Sequence, residues 1–153
     1  MNTELRDVTA GCNIRIDKDG KWFYDGNEIV NPTVLHAFWN ALEMDDQKRY
    51  RIVLGTEVCY LEVEDTPFVI STIRDDGKNG IYLILNTTQE FKLDPAKIHI
   101  GKKNVMYTTL PDGIKVRFSR PAYYQLALLM KEDDSGNIVL ITNGTSYTIY
   151  SPS

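Results

Sequence analysis

The chain has 153 residues, 42% of them hydrophobic, and a formal net charge of −4 at pH 7. This is the composition of a small globular protein, and its acidic balance argues against nucleic-acid binding, which needs clustered Lys and Arg. No stretch approaches the roughly 20 apolar residues that a membrane-spanning helix requires, so we expect no membrane partner.

The first twelve residues show no periodicity and are predicted to be a flexible tail. They lack the pattern of a secretory signal, which predicts a cytoplasmic protein. The two cysteines, Cys12 and Cys59, match no metal-ligand spacing, so we expect free thiols and no metal site.

Residues 13–76 are predicted to form a first α+β lobe. Alternating apolar residues and an Asp-Gly turn indicate a hairpin over residues 13–24. Asn31 before Pro32 is typical of a helix N-cap, and helical spacing of apolar residues continues to about residue 45. Three strands of a meander are predicted to follow, over residues 49–54, 58–63 and 68–73.

The turn-rich run 75–80 is the predicted lobe boundary, with a second lobe over residues 77–153. This lobe is predicted to hold a longer β-meander and a helix over residues 121–132. Asn143-Gly144 lies between two alternating runs and predicts a closing hairpin.

The two halves of the sequence show an internal similarity. Shifting the first half by 89 positions aligns Pro32 with Pro121, Gly55 with Gly144, and predicted elements of the same type. The sequence therefore predicts an α+β fold built from two repeated strand-helix-β-meander motifs. They are expected to form two small, closely packed lobes with mostly antiparallel sheets.

Three segments carry a family resemblance: DGKWFY at 19–24 followed by Gly26, LEVEDTPFV at 61–69, and GIKVRFSRPAYYQL at 113–126. In this order they resemble the bacterial family catalogued as domain of unknown function 1285. The resemblance implies an α+β fold with repeated motifs and a cytoplasmic bacterial protein. It implies no activity, although a signalling role has been suggested for the family.

Two arginines mark the predicted strand-to-helix junction. Arg117 lies in an alternating strand, and Arg120 precedes Pro121 where the helix opens with unpaired N–H groups. Two neighbouring cations favour an anionic partner, and a helix N-terminus is a ready anion site. The partner is either a bound anion or an internal carboxylate from Glu62, Glu64 or Asp65.

These residues define the predicted binding site. Trp22 and Tyr124 could line an apolar pocket between the lobes beside the arginines, or could instead fill the core. The predicted site is thus the following set: Arg117, Arg120, Glu62, Glu64, Asp65, Tyr124 and Trp22. We expect a non-catalytic regulatory module that binds an acidic small molecule or an acidic protein segment, without a cofactor.

Two alternatives come from other functional classes. A small hydrolase would use Glu64 or Asp65 as general base, with an arginine stabilising developing negative charge. A structural protein would instead form a homodimer through apolar strand edges.

Overall fold

The computed structural model describes residues 6–7 and 12–152. Contacts divide the chain into two compact units, Met1–Phe68 and Val69–Ser153. The turn at 75–80, where the sequence placed the boundary, instead joins two strands of one sheet, because Ile81 pairs with Asp75 across it. Most of the predicted tail lies outside the described residues.

The first unit contains two four-stranded sheets and helix α1, Pro32–Ala41. One sheet has the order β4-β3-β2-β8 and the other β1-β7-β6-β5. The β2–β8 and β1–β7 pairs are parallel, and the other pairs between described strands are antiparallel. The strands are β1 (Arg6–Asp7), β2 (Ile14–Ile16), β3 (Trp22–Tyr24), β4 (Asn27–Ile29), β5 (Leu42–Met44), β6 (Tyr50–Leu54), β7 (Glu57–Tyr60) and β8 (Glu62–Val63).

The core of the first unit forms around Trp22. Its ring stacks on Phe38 and contacts Phe68, each with ring centroids 5.2 Å apart, and the side chain is 0% exposed. The indole N–H donates to the carbonyl of Pro67 at 2.6 Å, which satisfies the polar end of the buried ring.

A disulfide joins Cys12 to Cys59 in β7, with 5.7 Å between their Cα atoms. The expectation of free thiols is therefore wrong. Spacing rules identify metal-ligand and redox motifs, whereas this pair is brought together by the fold across 47 residues.

The second unit contains a six-stranded and a three-stranded sheet with helix α2, Arg120–Ala127. The large sheet has the order β11-β10-β9-β14-β13-β12, and its β9–β14 pair is parallel, while β15-β16-β17 is an antiparallel meander. The strands are β9 (Val69–Asp75), β10 (Ile81–Leu85), β11 (Glu90–Lys92), β12 (His99–Ile100), β13 (Met106–Thr109), β14 (Lys115–Phe118), β15 (Met130–Glu132), β16 (Ile138–Thr142) and β17 (Thr145–Tyr150).

Both helices end earlier than their apolar patterns predict. The residues after α1 form β5, whose Leu42 pairs with Ile52, and those after α2 form β15, whose Met130 pairs with Leu140. Each of these strands has only three residues, and so short a segment after a helix can fit either a helical or a strand pattern.

The architecture is the predicted α+β class with mostly antiparallel sheets. Each unit places a three-stranded antiparallel meander directly after its helix. That these segments are copies of one repeated motif stays a prediction. Within the described ranges, no helix is long and apolar enough to cross a membrane.

Candidate functional site

Helix α2 is anchored to β9 by two polar side chains. Ser119 caps the helix by accepting from the N–H of Ala122 at 3.2 Å, and its hydroxyl donates to the carbonyl of Ser71 at 3.1 Å. Six residues after Ser119, Gln125 Oε1 accepts from the N–H of Ile73 at 2.9 Å. These bonds fix the position of the helix on the sheet.

The anchored helix borders a cavity of about 470 Å³ within the second unit. Buried Ala122 and Leu126 lie in the core, while Tyr123 and Ala127, four residues apart and therefore on one helix face, line the cavity. The other lining residues come from β12, the loop after it and the closing meander: Ile100, Asn104, Met130, Lys131, Glu132, Ile138 and Tyr150. This volume is in the usual range for small-molecule sites, about 300–1,000 Å³.

The loop that carries Asn104 into the cavity is a tight turn between β12 and β13. Lys103 and Asn104, its two central residues, both have left-handed conformations, with φ of 58° and 61°. The N–H of Val105 closes the turn by donating to the carbonyl of Lys102 at 3.3 Å, and left-handed central residues are the favoured form of such hairpin turns. The Tyr123 hydroxyl donates to Asn104 Oδ1 at 3.0 Å, so the turn and the helix are tied together at the cavity wall.

Four lining residues retain unused polar groups. In the described part of the chain, the Asn104 Nδ2 group and the Tyr150 hydroxyl make no hydrogen bond. Lys131 and Glu132 likewise form no ion pair with any described residue, including each other. Three donors and one carboxylate are therefore available to a ligand beside an apolar wall.

Three of the predicted site residues lie near this helix, but none lines the cavity. Arg120 is the first residue of α2 and is exposed, and Tyr124 is 62% exposed. Arg117 is half-buried on β14, where it pairs with Tyr107 and alternates with buried Val116 and Phe118. The two arginines therefore extend from different elements, a strand face and a helix start.

The remaining predicted site residues belong to the first unit. Trp22 is a core residue with no exposed surface to offer a ligand. The Glu64 carboxylate accepts from the backbone N–H of Lys18, which ties the turn between β2 and β3 to the end of β8. Exposed Glu62 lies on β8 opposite Arg15, and half-buried Asp65 follows that strand.

Sequence reasoning did not find the cavity residues, because they come from six separate segments with no shared motif. One signal was available: Lys102-Lys103-Asn104 is a polar run between apolar strands, and asparagine is a common residue in left-handed turns. No group of three or more His, Cys, Asp or Glu in ranges 6–7 and 12–152 is arranged to hold a metal ion.

Fold and cavity together define a small α+β protein with a polar-rimmed apolar pocket. Over residues 6–66 the chain matches the family model described as the N-terminal domain of DUF1285, a domain of unknown function. The DUF1285 resemblance that the sequence motifs predicted is thus confirmed for this part of the chain.

Two crystal structures share the fold. A DUF1285 family protein from Silicibacter pomeroyi DSS-3 has a TM-score of 0.75 and 19% identity, over 97% of this chain and 85% of that chain. A second one, from Shewanella baltica OS155, has a TM-score of 0.63 and 19% identity, over 75% of this chain and 90% of that chain. Among proteins with curated functions, a search finds no match.

Proposed function

We propose that this protein is a non-catalytic binding module with a regulatory role, and that its ligand occupies the cavity of the second unit. The observation that carries the proposal is the lining itself, because an apolar wall with a few convergent polar groups is the usual composition of a ligand site.

An acidic group on the ligand is favoured by the cations around the cavity. Lys131 lines it, and Lys102 and Lys103 immediately precede Asn104. Arg120 is three residues before Tyr123 and seven before Ala127, which places it on the same helix face. Glu132 is the acidic lining residue, so the surroundings are net cationic.

Calorimetric titration of the purified protein with a panel of dicarboxylates, monocarboxylates and phosphorylated metabolites tests the proposal. Ala127→Phe should fill the cavity and abolish binding, whereas Ala96→Phe, at an exposed turn, should not. Arg120→Ala and Lys131→Gln should weaken the binding of acids, with exposed Lys97→Gln as the matched control. Binding that survives Ala127→Phe, or a panel without any ligand, would contradict the proposal.

A further inference from the structure

We propose that the large sheet of the second unit carries a surface that binds an acidic segment of a partner protein. This basic surface consists of one face of β12, β13 and β14 and the turn between β12 and β13; its residues are His99, Lys102, Lys103, Tyr107 and Lys115. The inference goes beyond the proposed function and does not rest on it, because the surface is separate from the cavity.

Charge is distributed unevenly along the chain. Residues 95–120, which include these three strands, contain six basic residues and one acidic residue, net +5. The rest of the chain contains eleven basic and twenty acidic residues, net −9. The acidic residue of the segment, Asp112, accepts from the N–H of Ile114 at 3.1 Å in the turn before β14. A local charge opposite to that of the whole chain favours an anionic partner.

Strand register places basic and aromatic side chains on one face of the sheet. His99 pairs with Tyr107 across β12 and β13, and Tyr107 pairs with Arg117 across β13 and β14. Directly paired residues share a face, and Lys115, two residues before Arg117 on β14, lies on the same face.

The opposite face of these strands points to the interior of the unit. Met106 and Val116 are buried there, and Ile100 lines the cavity. Because side chains of successive strand residues alternate between the two faces, His99 and Lys115 lie on the side of the sheet away from Ile100. The basic face and the cavity are therefore on opposite sides of the sheet.

Tyr107 gives this surface an aromatic centre. The His99 ring stacks on it with centroids 5.4 Å apart, and Lys115 Nζ lies 4.2 Å from the centroid of the Tyr107 ring. A Cβ atom at Gly101 would lie 3.0 Å from the ring, so the glycine leaves the space that the ring occupies. Tyrosine is enriched at the centres of protein interfaces, where a large and ordered side chain provides contact area.

Within ranges 6–7 and 12–152, the cations of this surface lack a counter-charge. His99, Lys102, Lys103 and Lys115 are all exposed, and none of them forms an ion pair with another residue in those ranges. Their mutual repulsion decreases when an anionic group binds between them.

The spacing of the cations favours a protein segment over a small anion. Lys115 pairs across from Thr109 at one end of β13, and Lys102 lies in the turn beyond Met106 at the other end. Three residues of strand separate Thr109 from Met106, which is about 10 Å. A single carboxylate or phosphate cannot contact both lysines, whereas successive acidic side chains of an extended segment can.

The size of the surface favours a short segment over a long polyanion. Three strands span only about 10 Å between the outer strand axes. A nucleic acid or an anionic membrane extends beyond this width and would experience repulsion from the rest of the chain, net −9. A short acidic segment can contact the basic surface alone.

Fluorescence anisotropy with a labelled hexaglutamate peptide tests the proposal. Hexaserine is the neutral control, and a long oligothymidine and phosphatidylglycerol vesicles represent the other classes of anion. We expect hexaglutamate to bind at low ionic strength, more tightly than any of these three, and its affinity to fall as salt is added because salt screens exposed charges.

Charge reversal identifies the surface that binds the peptide. Lys115→Glu and Lys102→Glu should each weaken hexaglutamate binding roughly three- to tenfold, since each exposed ion pair contributes modestly. Lys78→Glu, in the exposed turn between β9 and β10, changes the net charge equally and should have little effect. Ala127→Phe fills the cavity on the other side of the sheet and should also have little effect. Unfolding midpoints check that each variant is folded.

Four results would contradict the inference. Equal losses in Lys78→Glu and Lys115→Glu would show a general charge effect, and loss in Ala127→Phe would place the peptide in the cavity. Tighter binding of oligothymidine or vesicles would exclude a protein partner, whereas a dimer that Lys115→Glu dissociates, measured by sedimentation, would make a second copy of the chain the occupant. If hexaglutamate does not bind at low ionic strength, the inference is also wrong, and the proposed ligand of the cavity is unaffected.

Discussion

Asp45 and Asp133 close their hairpins in the same way. Each Oδ1 accepts hydrogen bonds from the backbone N–H groups two and four residues further along the chain, all at 2.9 Å. Asp45 Oδ2 additionally accepts from Arg49 Nε at 2.9 Å. The backbone N–H of Arg49 is the largest cause that lowers the pKa of Asp45 to about 2, and the N–H of Asn137 lowers the pKa of Asp133.

The first prediction concerns acid stability. A carboxylate whose pKa is depressed in the folded state stabilises the protein fully above its unfolded pKa of 3.8 and loses that contribution as the pH falls towards 2. Asp45→Asn keeps an acceptor for the turn but removes the charge. We expect the variant to be less stable at pH 7 and to lose less stability between pH 4 and pH 2.

Urea unfolding midpoints measured from pH 2 to pH 7 check this prediction. Asp46→Asn is the matched control, because the Asp46 carboxylate makes no hydrogen bond with a described residue. Parallel pH profiles of wild type and Asp45→Asn would contradict the assigned role of the carboxylate.

The two hairpins also show what the sequence could and could not supply. Asp133 lies 88 residues after Asp45, and the strand pairs Leu42–Ile52 and Met130–Leu140 have the same interval. Identical residues in the two halves of the sequence instead align at an interval of 89 residues. At the interval of 88, Asn143 rather than Gly144 corresponds to Gly55, and both have left-handed backbones, with φ of 53° and 64°.

The two intervals differ by one residue because different residue types can adopt the same backbone conformation. Glycine and asparagine both accept positive φ, and asparagine and serine both cap helices. At the interval of 88, the N-cap Asn31 aligns with the N-cap Ser119, whereas the interval of 89 aligns it with Arg120. Alignment by identical residues favours the interval of 89, whereas alignment by the structural role of each residue favours the interval of 88.

Strands, turns and the fold class can be predicted from the sequence because alternation, Asp-Gly turns and N-caps are local sequence patterns. The cavity cannot be predicted in this way, because its walls come from two separate sheets, a turn and a helix that meet only in the folded chain. Asn104 reaches Tyr123 across 19 residues of chain. The same limit applies to Cys12 and Cys59, whose pairing depends on the position of β7.

The second prediction concerns the disulfide. Closing a loop across 47 residues should stabilise the protein by about 4 kcal/mol in the chain-entropy model, so Cys12→Ser with Cys59→Ser should unfold at clearly lower urea concentration. A reductant should lower the wild-type midpoint and leave the double variant unchanged. Thiol titration of the unfolded, unreduced protein should find no free cysteine.

Free thiols in protein purified from the cytoplasm would contradict this disulfide. That measurement also bears on the predicted cytoplasmic location, since disulfides persist mainly in oxidising compartments.

The third prediction concerns the core of the first unit. Trp22→Phe removes the donor to the buried Pro67 carbonyl and leaves a void between Phe38 and Phe68. We expect a loss of about 2–4 kcal/mol in the free energy of unfolding. Tyr24→Phe, at a side chain 48% exposed, is the control and should cost far less. Equal midpoints for the two variants would contradict the core role of Trp22.

The last prediction concerns the anchor between α2 and β9. Gln125→Leu removes the acceptor for the N–H of Ile73 and for the Thr72 hydroxyl, which donates at 2.8 Å. Because both groups can reach water, we expect a loss of only about 0.5–1.5 kcal/mol in global stability. Hydrogen exchange at the Ile73 amide should nevertheless be much faster, since its protection depends on this bond. Gln125→Glu retains the acceptor oxygens and should keep the Ile73 amide protected from exchange. Fast exchange of this amide in both Gln125→Glu and the wild type would show that the helix does not hold the strand through this residue.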